Sequence, residues 1–168
     1  DLNKWRHLLD GLQRDIPDIQ LSVLGSIQDR SLLRRLFRED ELFICNFSEL
    51  ANELTSNTRL VSLDTSIKHF ATYFQVPTIE ISVGSSHWIK NAAYQSGNFI
   101  FSADFHCRPC VHSRDCPLGR NQCQDEINFL ELQNFISNWI SEPNPVTFAM
   151  KTNVKNGELS IQRGEKWK

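Results

Sequence analysis

The stretch LVSLDTSIKHFATYFQVPTIEISV, residues 60–83, decides the fold. Leu60, Val61, Ser62 and Leu63 make a short apolar run of strand length, and helical spacing begins directly after it. Ile67, Phe70, Ala71 and Phe74 fall on one stripe of a helix. Pro77 stops that helix, because its ring and missing N–H do not suit a helix interior. From Thr78 to Val83 the period changes to two: Ile79, Ile81 and Val83 share one face, and the more polar Thr78, Glu80 and Ser82 share the other. Gly84-Ser85-Ser86 then closes the strand. Strand, helix and strand in so short a span predict a parallel pair joined by a crossover helix.

Outward from this unit the alternation continues. Towards the amino end, Trp5, Leu8, Leu9 and Leu12 predict an amphipathic helix ending near Pro17. Ile19–Leu24 reads as a buried strand closed by Gly25-Ser26. Leu32, Leu33, Leu36 and Phe37 carry a second helix, Leu42–Phe47 a second strand, and residues 50–54 a short helix. Towards the carboxyl end, Asn98–Ala103 reads as a strand. A Cys-rich loop follows, and Phe129, Leu132, Ile136, Trp139 and Ile140 mark a last long helix. Past Pro143 and Pro145 the pattern becomes a hairpin, Val146–Val154 and Glu158–Gln162 around Asn156-Gly157. The expectation is an α/β fold: a Rossmann-like, doubly wound parallel sheet over residues 1–142, with residues 143–168 as a carboxy-terminal extension.

Bulk composition bounds the function. The chain has 168 residues, 40% hydrophobic and 23% charged, which is enough for a real core in an ordinary globular domain. Its net charge of −2, with Lys and Arg scattered rather than striped, leaves no electrostatic footprint for DNA or RNA, so nucleic acid is not an expected partner. No apolar run approaches the roughly 20 residues of a spanning helix, and the amino end lacks a signal-peptide pattern. The expected chain is therefore not transmembrane, and cytoplasmic. It begins at Asp1 rather than Met, which fits a piece cut from a longer protein.

In an open α/β sheet, ligands sit outside the carboxyl ends of the strands, and Asp64-Thr65-Ser66 stands at such an end. The first turn of the following helix offers backbone N–H groups and a partial positive charge, which suit a phosphate. Thr65 and His69 are four apart, so both project from one side of that turn. The plainer alternative is that Asp64 or Thr65 merely caps the helix and His69 is a surface residue. Gly25-Ser26 and Gly84-Ser85 lie at two more predicted strand ends. Each is ordinarily a tight turn, but together they place small residues where a backbone can approach a ligand.

Residues 61–86, VSLDTSIKHFATYFQVPTIEISVGSS, followed by CRPC and CPLGRNQC, resemble the carboxy-terminal half of the lipopolysaccharide heptosyltransferase family of bacteria. That family shows a DTG-x-x-H-x-A motif, a Gly-x-Pro-Thr strand entry and a Gly-Pro-Thr loop. The resemblance runs from about Trp5 to Ile140. Here Ser66 stands in place of the motif glycine, and Gly84-Ser85-Ser86 in place of Gly-Pro-Thr. The resemblance implies one Rossmann-like half of a two-domain (GT-B) glycosyltransferase, the half that holds a nucleotide-sugar donor such as an ADP-heptose. Carried over, Thr65, Ser66 and Ile67 would offer amides to the diphosphate and His69 a side-chain donor. Asp64 would cap the helix or meet sugar hydroxyls, and Gly25, Gly84 and Ser85 would line the crevice. The family's catalytic base and acceptor site lie in an amino-terminal domain of a longer chain, so no catalytic residue is expected here and the isolated chain is expected to be inactive. The transfer itself needs no metal. The alternative class is a degenerate, non-catalytic transferase domain kept as a binding module.

Cys107, Cys110, Cys116 and Cys123 are spaced C-x2-C-x5-C-x6-C, and Cys45 stands apart as a small core residue. The spacing is compatible with a structural zinc on four thiolates, with His106 and His112 as substitute ligands. It is equally compatible with packed free thiols, and with disulfides in an oxidising compartment. A zinc-stapled interaction protein is thus a third class of reading.

Overall fold

A computed structural model of the chain describes residues 2–54, 58–83, 98–103, 107, 110, 115–116, 118–119, 122–141, 150–155 and 158–163. The fold is mixed α/β with parallel sheets. It divides into two compact units, Asp1–Leu54 with Phe129–Ser141, and Thr55–Asn128 with Glu142–Lys168.

In the first unit, helix α1 (Leu2–Asp15) precedes strand β1 (Val23–Gly25) and the short helix α2 (Arg30–Leu33). Strand β2 (Leu42–Ile44) and helix α3 (Phe47–Glu53) follow, and the unit also contains the long helix α6 (Phe129–Ser141). β1 and β2 pair in parallel, Leu24 opposite Phe43. The predicted strands were longer. Of the Ile19–Leu24 run only Val23 and Leu24 pair as strand, which continues to Gly25, and the strand is half-buried rather than fully buried. Phe47 opens α3 instead of closing β2. The cause is local: Asn46 caps α3 by accepting from Ser48 and Glu49 N–H, while the Glu49 carboxylate accepts from Asn46 N–H at 2.8 Å. This reciprocal box starts the helix three residues before the apolar pattern does. Leu8 and Leu12 of α1 and Leu132, Ile136 and Trp139 of α6 are buried, and Trp5 meets Phe129 edge-on with centroids 5.8 Å apart.

In the second unit, strand β3 (Leu60–Leu63), helix α4 (Ser66–Tyr73), strand β4 (Thr78–Ser82) and strand β5 (Phe99–Ala103) are followed by the short helix α5 (Gln122–Asp125). Strands β6 (Met150–Lys155) and β7 (Glu158–Arg163) complete it. Its sheet runs in the order β3-β4-β5-β6-β7, parallel except for the β6–β7 hairpin. The carboxy-terminal hairpin is therefore part of this sheet, joined through β5. A doubly wound sheet reverses its strand order at a switch point. Neither sheet of the described residues contains such a reversal, because each strand pairs with the next in the chain. Every residue of β4 is buried, polar ones included. A central parallel strand is covered on both faces, so the polar face expected from its alternation turns inward.

Helix α4 ends in a Schellman arrangement. Val76 N–H reaches Ala71 C=O at 2.9 Å, Gln75 N–H reaches Thr72 C=O at 3.0 Å, and Gln75 takes a positive φ of 58°. Pro77 C=O then accepts from Leu60 N–H at 3.0 Å, so the predicted helix stop also begins the strand pairing. Among the described residues, no helix is long and apolar enough to cross a membrane.

Candidate functional site

The turn after β3 carries most of the residues singled out from sequence. Thr65 occupies the N-cap position of α4 in an extended conformation, yet its side chain makes no capping bond. Its hydroxyl lies 3.2 Å from the Ser62 hydroxyl instead. Thr65 as a helix cap is thus not what the geometry shows, and the first-turn amides are not taken up by it. Thr65, Ser66 and His69 are exposed, one turn of helix apart, and Ile67 is half-buried.

Asp64 and Lys68 face the other way. The Lys68 ammonium is 2.6 Å from Asp64 Oδ1 and 2.9 Å from Glu80 Oε1, with side-chain exposures of 0% for Lys68, 6% for Asp64 and 1% for Glu80. The innermost residues of α4 are Lys68 and Ala71, whereas Phe74 at the end of the predicted apolar stripe is 36% exposed. The inner face is rotated because Lys68 reaches Glu80 on the interior strand β4. Glu80 sits opposite Ser62 on β3 and Ile100 on β5. One ammonium therefore ties the Asp64 turn to an interior strand of the sheet. Neither Lys68 nor Glu80 was singled out from sequence as a site residue. The signal was present: Asp64 and Lys68 are four apart across the start of a helix, and Glu80 is a charged residue inside a strand rich in isoleucine.

Of the remaining candidates, Gly25 ends β1 in the first unit, where a Cβ would press on Leu33 Cδ1 at 2.5 Å. Its C=O accepts from Cys45 N–H at 3.1 Å. Gly84 and Ser85 lie outside the described residues, as do His106 and His112. Cys107, Cys110, Cys116 and Cys123 are half-buried, and no disulfide joins the described cysteines. Among the described residues, no three His, Cys, Asp or Glu side chains gather in a group that would hold a metal. The Cys123 thiol donates to Val83 C=O at 2.8 Å, linking α5 to the end of β4. Cys45 is half-buried just past β2, and burial with the nearby Glu49 and Glu53 charges pushes its thiol up, which leaves it a poor nucleophile.

In comparisons with known protein families, curated proteins and solved structures, nothing matches this chain.

Proposed function

We propose that the chain is the donor-binding, Rossmann-like half of a heptosyltransferase-like (GT-B) glycosyltransferase, holding a nucleotide-diphosphate sugar of the ADP-heptose kind. The observation that carries this reading is the exposed turn at the carboxyl end of β3. There Thr65, Ser66 and His69 face outward, the N-cap side chain leaves the helix amides open, and the helix terminus carries partial positive charge. Such a turn suits a diphosphate: amides of Ser66 and Ile67 would donate to its oxygens, and His69 would add an imidazole donor. In transfer, an acceptor hydroxyl would attack the anomeric carbon with inversion while these donors stabilise the charge on the departing diphosphate. The base and the acceptor wall would come from an amino-terminal domain of a longer chain, and the chemistry calls for no metal. A structural zinc on Cys107, Cys110, Cys116 and Cys123 would be a staple of their loop, apart from the reaction.

A second reading, a degenerate transferase domain that binds without catalysing, draws on the strand order of the second unit. Among the described residues its strands follow chain order without a reversal, and such an order provides no switch-point crevice of its own.

Thermal melts of the chain with ADP and ADP-sugars test the donor reading. A ligand at 100 times its dissociation constant raises stability by about 2.7 kcal/mol, and replacing Thr65 and His69 together by Ala should abolish the shift. No shift at millimolar nucleotide overturns the donor site. Binding that persists in the double variant returns both residues to an ordinary surface turn.

A further inference from the structure

We propose that Lys68 is a positioning residue: clamped between Asp64 and Glu80, its ammonium fixes the turn Asp64–Thr65–Ser66 and holds the first-turn amides of α4 ready for an anionic ligand. Lys68 is fully buried, and its two carboxylate partners belong to different elements, the turn after β3 and the interior strand β4. Lys68 is itself part of α4. Through that single ammonium, turn, helix and strand meet at one point directly beneath the exposed face that carries Thr65, Ser66 and His69.

Packing alone does not account for such an arrangement. Taking three charged groups out of water opposes folding, and apolar side chains of similar volume commonly fill such a space with equal or greater stability. A buried ammonium with two partners does differ from an apolar plug in one respect. It attracts both carboxylates, so the Asp64 carboxylate cannot move away without giving up a charged contact of 2.6 Å at a buried position. The turn needs that restraint because Thr65, the residue placed to cap the helix, does not bond the helix amides. A donor set that is already in place binds an anion without first being ordered. The proposal rests on the donor-site reading only for the identity of the ligand; the restraint on the turn is independent of it.

The decisive variant replaces the two innermost charges by apolar groups, Lys68→Met with Glu80→Met, in the full 168-residue chain, and leaves the Asp64 carboxylate without its ammonium partner. Backbone 15N order parameters of Thr65, Ser66 and Ile67 report the restraint, and ADP titration reports its use. In the unaltered chain these amides should be as rigid as the strands, with values near 0.85. In the double variant they should drop below about 0.6 while the strand amides keep their order, and ADP affinity should fall at least tenfold. A stable double variant with an unchanged turn and unchanged affinity would show that Lys68 only fills space, and overturns the proposal. Values below about 0.6 in the unaltered chain overturn it equally, and need no variant to fold. Loss of order in the variant together with no ADP binding by either protein would sink the nucleotide reading and leave the positioning role standing.

Discussion

The Gln133 side-chain amide donates to the Asp15 carboxylate at 2.7 Å, tying α6 to the last turn of α1 in the space that Gly11 leaves open. A Cβ on residue 11 would fall far inside van der Waals contact with the Gln133 amide. Gly11 is buried inside a helix, where glycine costs about 1 kcal/mol relative to alanine. Gly11→Ala should nonetheless lower stability, by about 1 kcal/mol. The displaced Gln133 gives up a bond to a charged acceptor worth about 1.5–3 kcal/mol, against a gain of about 1 in helix propensity. In a Gln133→Ala background the same substitution should stabilise. Urea melts of the four proteins in this cycle provide the check, and an equal effect of Gly11→Ala in both backgrounds would refute the coupling.

Gln75 terminates α4 with φ at 58°, the left-handed conformation that side chains resist. Its N–H bond to Thr72 C=O and the Val76 bond to Ala71 C=O require that conformation, and Val76 and Ala71 are both fully buried behind it. Gln75→Gly should raise stability by about 1 kcal/mol, and the β-branched Gln75→Val should lower it by at least as much. Thermal melts that rank Val above Gln would show that the turn adopts another conformation.

These two sites mark the boundary of what could be read from the chain. The βαβ core of residues 60–83 was legible because its signals are local: strand Leu60–Leu63, the start of α4 after Thr65 and β4 from Thr78 all fall where period and Pro77 place them. The exposed Thr65, Ser66 and His69 were legible for the same reason. The inward turn of Lys68 was not, because an i,i+4 acid–lysine pair ordinarily lies on a solvated face, and only the position of Glu80 in a fully covered strand brings the ammonium inside. The stop at Gln75 was also hidden. Glycine is the usual sign of that cap, and glutamine gives none.

Arg6 bridges Asp10 on its own helix and Glu41 in the turn before β2, the latter at 2.7 Å, with its guanidinium 5.4 Å from the Phe37 ring centroid. The Arg6 hydrogen bond holds the Glu41 carboxyl below its ordinary 4.5, opposed by partial burial and helped by Arg38 N–H. A carboxylate with a depressed folded value adds stability that is complete above its unfolded value and lost as pH falls through the folded one. Glu41→Gln should therefore cost about 1 kcal/mol at neutral pH. The gap from the unaltered protein should narrow as pH drops below about 4.5 and close once Glu41 is protonated in the folded state. Denaturant melts across pH 3 to about 7 measure it. A gap that stays constant through the acid range would remove the Arg6 contact as its source.

Cys123 distinguishes a thiol bond from a metal staple in its loop. Its S–H donates to Val83 C=O at 2.8 Å, which only the protonated form can do, whereas a zinc ligand must be the thiolate. Binding zinc through Cys123 would expel that proton and leave the Val83 carbonyl without this donor. Serine keeps a hydroxyl donor at the same place and is a poor zinc ligand, while alanine offers neither. If the hydrogen bond is the working interaction, Cys123→Ser should change stability by less than about 0.5 kcal/mol and Cys123→Ala should cost about 1 kcal/mol. If zinc holds Cys107, Cys110, Cys116 and Cys123, Ser and Ala should be equally and severely destabilising, a chelator should reproduce the loss, and elemental analysis should find one metal per chain. The geometry at Val83 predicts the first pattern: separation of Ser from Ala, with a melting temperature that chelation leaves alone.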